Sequence, residues 1–284
     1  MSELGASAMP PRGDVVPARM PAFYLTHGGG PWPYMSGEAR LAHARLEESL
    51  RQLPRQLPQT PEAILVVSGH WEERDFAVMA GAAPGMIYDF GGFPEELYHI
   101  RYPAAGCPRI AERALSLIQQ AKLAAHLDPG RGFDHGTYSL LAVCYPQADV
   151  PVLQLSLRAD YDPQAHLKVG QALAPLRDEG VLMIGSGSSY HNLRRFFERR
   201  GRRPDSGQFD AWLRQTLLDS SPAQRSQRLL EWAHAPAARE AHPREDHLMP
   251  LHVVVGAAQE EPGRLIYSQE DFLGTITLSS YRFG

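Results

Sequence analysis

Cysteine is almost absent from this 284-residue chain. It has two, Cys107 and Cys144, and neither belongs to a C-x-x-C pair. That argues against a disulfide framework and against a thiolate zinc site. Lysine is as scarce, with Lys122 and Lys168 the only two, so arginine carries the basic charge. No apolar run approaches the ~20 residues that a membrane helix needs, and residues 1–20 lack the apolar core of a signal peptide. A net charge of −4 supplies no general attraction for nucleic acid or an anionic membrane. The expectation is a cytoplasmic protein with small-molecule partners, no nucleic acid and no membrane.

Linkers, repeats and low-complexity tracts are missing too. The 25 glycines and 24 prolines are scattered through turns, which favours one domain over residues 21–284 behind a flexible leader at 1–20. Short apolar runs at 22–26, 63–68, 76–80, 151–157 and 181–185 alternate with helical patterns, and final strands are expected at 264–268 and 275–280. WEERD separates the second and third runs and suits a hairpin or an adjacent edge strand. A helix is read from Ser36 to Leu53, another over 108–123, a short one from Thr137, and one that Asp162 caps and Pro163 begins. The fold class is α/β, a three-layer sandwich with a central mostly parallel or mixed sheet. Residues 84–106, rich in Gly, Pro and aromatics, form a long loop of the kind that covers binding sites.

Three of the apolar runs end within a few residues in a histidine: AFYLT-His27, ILVVSG-His70 and VLMIGSGSSY-His191. Ligands of open α/β sheets bind at the carboxyl ends of strands, so three imidazoles delivered to one edge suggest a metal site. His135 in GFDHGTY and His247 in REDHLMPL precede apparent helices and could face the same edge. Imidazoles with oxygen donors and no thiolate suit Fe(II) or Zn(II) better than Mg(II). Asp246 and Glu245 are available to orient the His247 ring. His43 lies mid-helix, His126, His166 and His234 fall in helical or helix-end contexts, and His242 and His252 lack a partner at metal-type spacing, so all six read as structural. GSGSS at 185–189 lacks the closing glycine of a nucleophile elbow. The six arginines between Arg194 and Arg203 read as a solvated helix end and loop.

THGGGP at 26–31, SGHW at 68–71, DFGGFPEELYHIRYPAAG at 89–106, GFDHGTY at 132–138, HNLR at 191–194 and DHLMPL at 246–251 occur in this order. Together they resemble the class III extradiol ring-cleaving dioxygenases of the LigB superfamily, in the DOPA 4,5-dioxygenase-like branch, over about 20–280. The resemblance implies metal ligation by His27, His70 and His247. It implies a base role for His191, which can also approach or bind the metal, and a place for His135 beside the catechol and dioxygen. The protocatechuate-cleaving branch has a glutamate where this chain has His247. Fe(II) is expected for activity and Zn(II) is possible as a bound metal; the substrates would be a catechol such as DOPA and O2. Two alternatives remain open: a zinc-dependent hydrolase, in which His191 or Glu72 assists bound water, and a Memo-like non-catalytic interaction protein. Retention of all five histidines argues against the second.

Overall fold

A computed structural model describes residues 18–196 and 204–284. Its eight strands are β1 (Ala22–Thr26), β2 (Ala63–Glu73), β3 (Phe76–Met79), β4 (Ala125–Asp128), β5 (Val152–Arg158), β6 (Val181–Gly187), β7 (Gly263–Phe272) and β8 (Ile276–Phe283). They form one sheet in the order β4-β3-β5-β2-β6-β1-β8-β7. Its centre, β5-β2-β6-β1, is parallel, and antiparallel pairs join β3 to β5, β8 to β1 and β7 to β8. The single α/β domain with a mixed, mostly parallel sheet is as expected from the alternation of runs.

The longer helices are α1 (Ala44–Arg51), α2 (Pro108–Gln120), α3 (His135–Cys144), α4 (Pro163–Leu173), α5 (Pro204–Arg214), α6 (Pro222–Leu230) and α7 (Met249–Ala258). The sheet's two-residue period shows the layers. At Gly185 an added Cβ would meet the Pro250 carbonyl of α7 at 2.6 Å, while the next side chain, Ser186, reaches the Gly136 carbonyl of α3. Opposite faces of β6 therefore carry α7 and α3. Every residue of α7 is buried and nearly every one of α3, as a helix that is apolar all round requires. By contrast α2 buries one stripe of Ile110, Ala111, Ala114, Leu117 and Ile118. At α4 the Asp162 side chain accepts from the Gln164 N–H, with Pro163 following.

Several boundaries differ from the sequence reading. WEERD closes no hairpin, because β5 lies between β2 and β3; the edge beyond β3 is β4, a strand the sequence reading did not assign. Burial of neither face of β4 is complete, so it lacks the apolar run that marks a central strand. The helix expected from Ser36 is broken at Ala42–His43 into Gly37–Leu41 and α1. The second strand runs on to Glu73, so His70 lies inside it. Of the leader, residues 18–20 are described, and Met20 is buried with its N–H donating to the Arg177 carbonyl. Residues 1–17, and the arginine run beyond Arg195, lie outside the described residues.

His166, read as structural, is fully buried in α4, with Nδ1 against the Asp162 carbonyl and Nε2 accepting from the Arg158 N–H. Burial pushes it down to about 4 from 6.5. Between those values the unfolded chain binds a proton that the folded chain refuses, so stability present above about pH 6.5 is lost as pH falls towards 4. On urea unfolding, the stability difference between pH 7 and pH 4.5 should be smaller in His166→Gln by about 2–3 kcal/mol. An unchanged difference would show that His166 is not held neutral.

Candidate metal centre

The carboxyl ends of β1, β6 and β2 define the site. His27 follows β1 directly, and its N–H donates to the Gly187 carbonyl at the end of β6. His70 sits in an irregularity of β2. From Val67 to Glu72 β2 advances five residues while β5 advances two, from Leu155 to Leu157. Such a bulge re-aims side chains that a regular strand would send to alternate faces. His247 arrives from the other direction, two residues before α7. Its carbonyl accepts from the Ser188 N–H, and it lies so near that a Cβ on Gly187 would approach it to 2.1 Å.

The result is convergence. His70 Nε2 is 3.2 Å from His27 Nε2 and 3.2 Å from His247 Nε2. The opposite ring nitrogens decide which of these carry protons. Ser186 Oγ donates to the Gly136 carbonyl, so toward His27 Nδ1, 2.9 Å away, it can only accept. His27 is thus protonated at Nδ1 and bare at Nε2. His70 Nδ1 faces Asp89 Oδ2 at 3.2 Å and His247 Nδ1 faces Asp246 Oδ2 at 3.1 Å, although the latter pair is poorly aligned for a hydrogen bond. Acceptors on the far side of metal-binding imidazoles fix the ring and raise its basicity.

Three lone pairs at this separation need a positive centre between them. Burial and the surrounding imidazoles hold His27 and His247 well below their ordinary 6.5. His70 behaves otherwise: burial lowers it, but Asp89, Asp134 and Asp246 together raise it above 6.5. The cation the triad accepts is therefore either a proton on His70 or a metal ion in its place. Three neutral nitrogen donors on one side, with carboxylates behind them, suit a divalent transition metal.

Asp89 is the residue that sequence reasoning missed. It comes from the aromatic loop, and its Oδ1 accepts from both the His135 N–H, at 3.0 Å, and His135 Nδ1, at 2.9 Å. Burial works to raise its carboxyl, yet the bonds to His135 and His70 hold it well below the usual carboxylate range. His135 opens α3 after the cap Asp134, whose buried carboxylate is gripped by Arg131, Ser68 and Gln154. Burial also lowers His135. Only the DFGG string, an acid before a glycine turn in a loop, could have signalled Asp89.

His191 stacks on the His247 ring with centroids 3.3 Å apart and planes 12° from parallel. Its Nδ1 is 3.8 Å from Asp246 Oδ1, and burial pushes it down to about 3 against the opposing pull of Asp246. The same carboxylate thus stands behind a triad ring and the stacked ring. Glu245 instead pairs with Arg239, and Glu72 with Arg244, away from the cavity.

All five histidines line a cavity of about 560 Å³, which Phe90 and Phe93 of the long loop also border. The helix expected from Ser36 bends at His43 and places that ring on the cavity wall, stacked on Trp32, where a purely structural position was expected. Both of its nitrogens are used, one at the Ala39 carbonyl and the other accepting weakly from the Gly29 N–H, so it offers a ring face and no ligand atom.

Residues 21–284 match the family described as the catalytic LigB subunit of aromatic ring-opening dioxygenase. The chain belongs to this family. It is 38% identical to a 4,5-DOPA dioxygenase extradiol of Portulaca grandiflora, over 92% of this chain and 95% of that one. It is 35% identical to dioxygenase tasH of Hapsidospora irregularis, over 93% and 85%. A crystal structure of an uncharacterised Escherichia coli K12 protein superposes with a TM-score of 0.76 at 31% identity, covering 94% of this chain and all of that one. The LigB chain is thus an aromatic ring-opening dioxygenase by family, and its histidine cluster suggests where the metal of such an enzyme would sit.

Two outcomes follow for the cluster. Alanine at His27, His70 or His247 should abolish stoichiometric metal retention, read by elemental analysis; full occupancy in all three variants would refute the triad. Because a proton on His70 competes with the metal, Zn(II) affinity in chelator competition should fall up to about tenfold per pH unit once pH drops below the His70 pKa. A flat affinity from pH 8 to pH 5 would contradict that.

Proposed function

We propose that this LigB-family enzyme opens a catechol ring in the extradiol sense, with Fe(II) held by His27, His70 and His247. The observation that carries the reading is the trio of converging Nε2 atoms at the floor of a largely apolar cavity. Fe(II) bound there would supply redox activity and open coordination positions for a catechol and O2, whereas Zn(II), which the same donors accept, only polarises and orients.

The chain's own residues account for the proton traffic. His191 is neutral at pH 7 because burial disfavours its charged form, so it is in the state that accepts a proton from a substrate hydroxyl. Asp246, 3.8 Å from Nδ1, favours the imidazolium that results and opposes the burial that holds His191 at about 3. His135 donates through Nδ1 to Asp89, which leaves Nε2 without a proton. In that tautomer it accepts a hydrogen bond from a hydroxyl and donates to an oxygen only after receiving a proton. Phe90 and Phe93 border the cavity and help exclude water, which strengthens each of these interactions. The hydrolase alternative loses one of its assisting groups, since Glu72 is tied to Arg244 outside the cavity.

His191→Ala is expected to retain metal and lose about 100- to 10,000-fold in kcat. Loss of metal would make His191 a fourth ligand, and full activity would remove it from the mechanism. An oxygen electrode and visible absorbance, applied to apo, Zn(II) and Fe(II) forms with several catechols, test the reaction itself. Only the Fe(II) form should consume O2 and give a ring-opened product. Equal turnover by the zinc form, or none by the iron form with any catechol, would overturn the dioxygenase reading.

A further inference from the structure

The cavity above the histidines is walled by Met35, Ala39, Ala42, Phe272, Leu273 and Leu278, from the broken helix and from the β7–β8 hairpin. Polar side chains on this wall have their groups engaged within the protein. Thr26 Oγ1 donates to the Ser279 carbonyl and Ser188 Oγ to the Tyr190 carbonyl, while His43 uses both ring nitrogens. The carboxylates that reach the cavity, Asp89 and Asp246, face imidazoles. Among the described residues no arginine or lysine lines it.

Two leucines stand at the rim, and on the far side of Leu193, His191 and Asp246 a second pocket carries Arg194, Arg195, Arg239 and Arg244. Of the three large hydrophobic side chains that are exposed among the described residues, two border this cavity: Leu193 at 57% and Leu273 at 48%. A carboxylate or ammonium carried on a tail laid along the Met35–Leu278 wall would lose its hydration and gain no partner of opposite charge on that wall.

We propose that the substrate's tail is apolar: the cavity takes a catechol whose ring carries an alkyl or aryl substituent, which lies along the Met35–Leu278 wall and passes out between Leu193 and Leu273. This rests on the catechol reading of the metal site. Tail recognition would then come from buried area, and it would grow with chain length until the tail reaches solvent.

A homologous series tests it: catechol, 4-methyl-, 4-ethyl-, 4-propyl- and 4-butylcatechol, with L-DOPA and 3,4-dihydroxyphenylacetate as charged-tail members. Calorimetric Kd on the Zn(II)-loaded protein and kcat/KM on the Fe(II)-loaded protein are both read. Kd should fall about fourfold for each added methylene, the equivalent of ~0.8 kcal/mol per buried CH2. L-DOPA should bind at least about tenfold more weakly than 4-propylcatechol. Leu193→Asp and Leu273→Asp, substitutions at exposed positions, should flatten the series at its longer members. A Kd independent of tail length, or L-DOPA equal to or better than 4-propylcatechol in kcat/KM, would overturn the proposal while leaving the dioxygenase reading intact. Turnover of no catechol would remove that reading, and length-dependent binding to the zinc form would still report on the wall.

Discussion

Three buried Nε2 atoms, with 3.2 Å between neighbours, cannot all keep lone pairs facing one another without a cation among them. Much of the surrounding structure can be traced to that constraint. Each ring must place its remaining N–H on its far side, so each needs an acceptor in a region where water is scarce. Ser186 and Asp89 fill two of those places, and Asp246 stands 3.1 Å from the third nitrogen without the alignment of a hydrogen bond. Two are carboxylates, and burying a carboxylate is costly unless it is hydrogen-bonded. Asp89 meets that condition by accepting from His135 twice, through backbone and ring. The fourth histidine is thereby oriented by the same residue that orients the second.

The fold delivers this arrangement through two local departures from regularity. Ser68 and His70, two apart on β2, both reach the α3 side beside Gly136, within the irregularity between Val67 and Glu72 where β2 advances five residues while β5 advances two. On the other face, small residues let a second backbone come close. Gly69 passes the Asp246 carbonyl, where a Cβ would stand at 3.0 Å, and Gly187 passes the His247 carbonyl still more tightly. A side chain at Gly187 would push the segment bearing His247 outward, and the third nitrogen would leave the triad.

Strands that end in histidine were legible because a central parallel strand is buried on both faces and reads as an unbroken apolar run. AFYLT, ILVVSG and VLMIGSG stand out for that reason, and their ends lie at one edge. The partners of those histidines were not legible, since Ser186 and Asp89 owe their roles to neighbours 159 and 46 residues away respectively. No local spacing encodes such contacts. The edge strand β4 failed for the opposite reason: only a central strand needs the apolar run, and AHLD has none. His43 shows a mixed case. Its nitrogens bond as a structural histidine's would, yet the break in its helix turns the ring face to the cavity.

The division of labour within the cavity follows from the same physics. Its floor carries the imidazoles, of which His27, His70 and His135 are held through Nδ1 by Ser186 and Asp89. Its wall carries methyl groups, methylenes and ring faces whose contacts are non-directional. On the proposed catechol reading, directional floor groups would select two adjacent oxygens at a fixed position, whereas a non-directional wall would accept any tail of suitable length and shape. Changes in the wall would therefore alter which substrate is held without disturbing the lone pairs proposed to hold a metal, whereas a change in Asp89 or Asp246 reaches two histidines at once. Substrate preference in this chain can thus diverge from that of relatives at 35–38% identity while the histidine chemistry stays fixed.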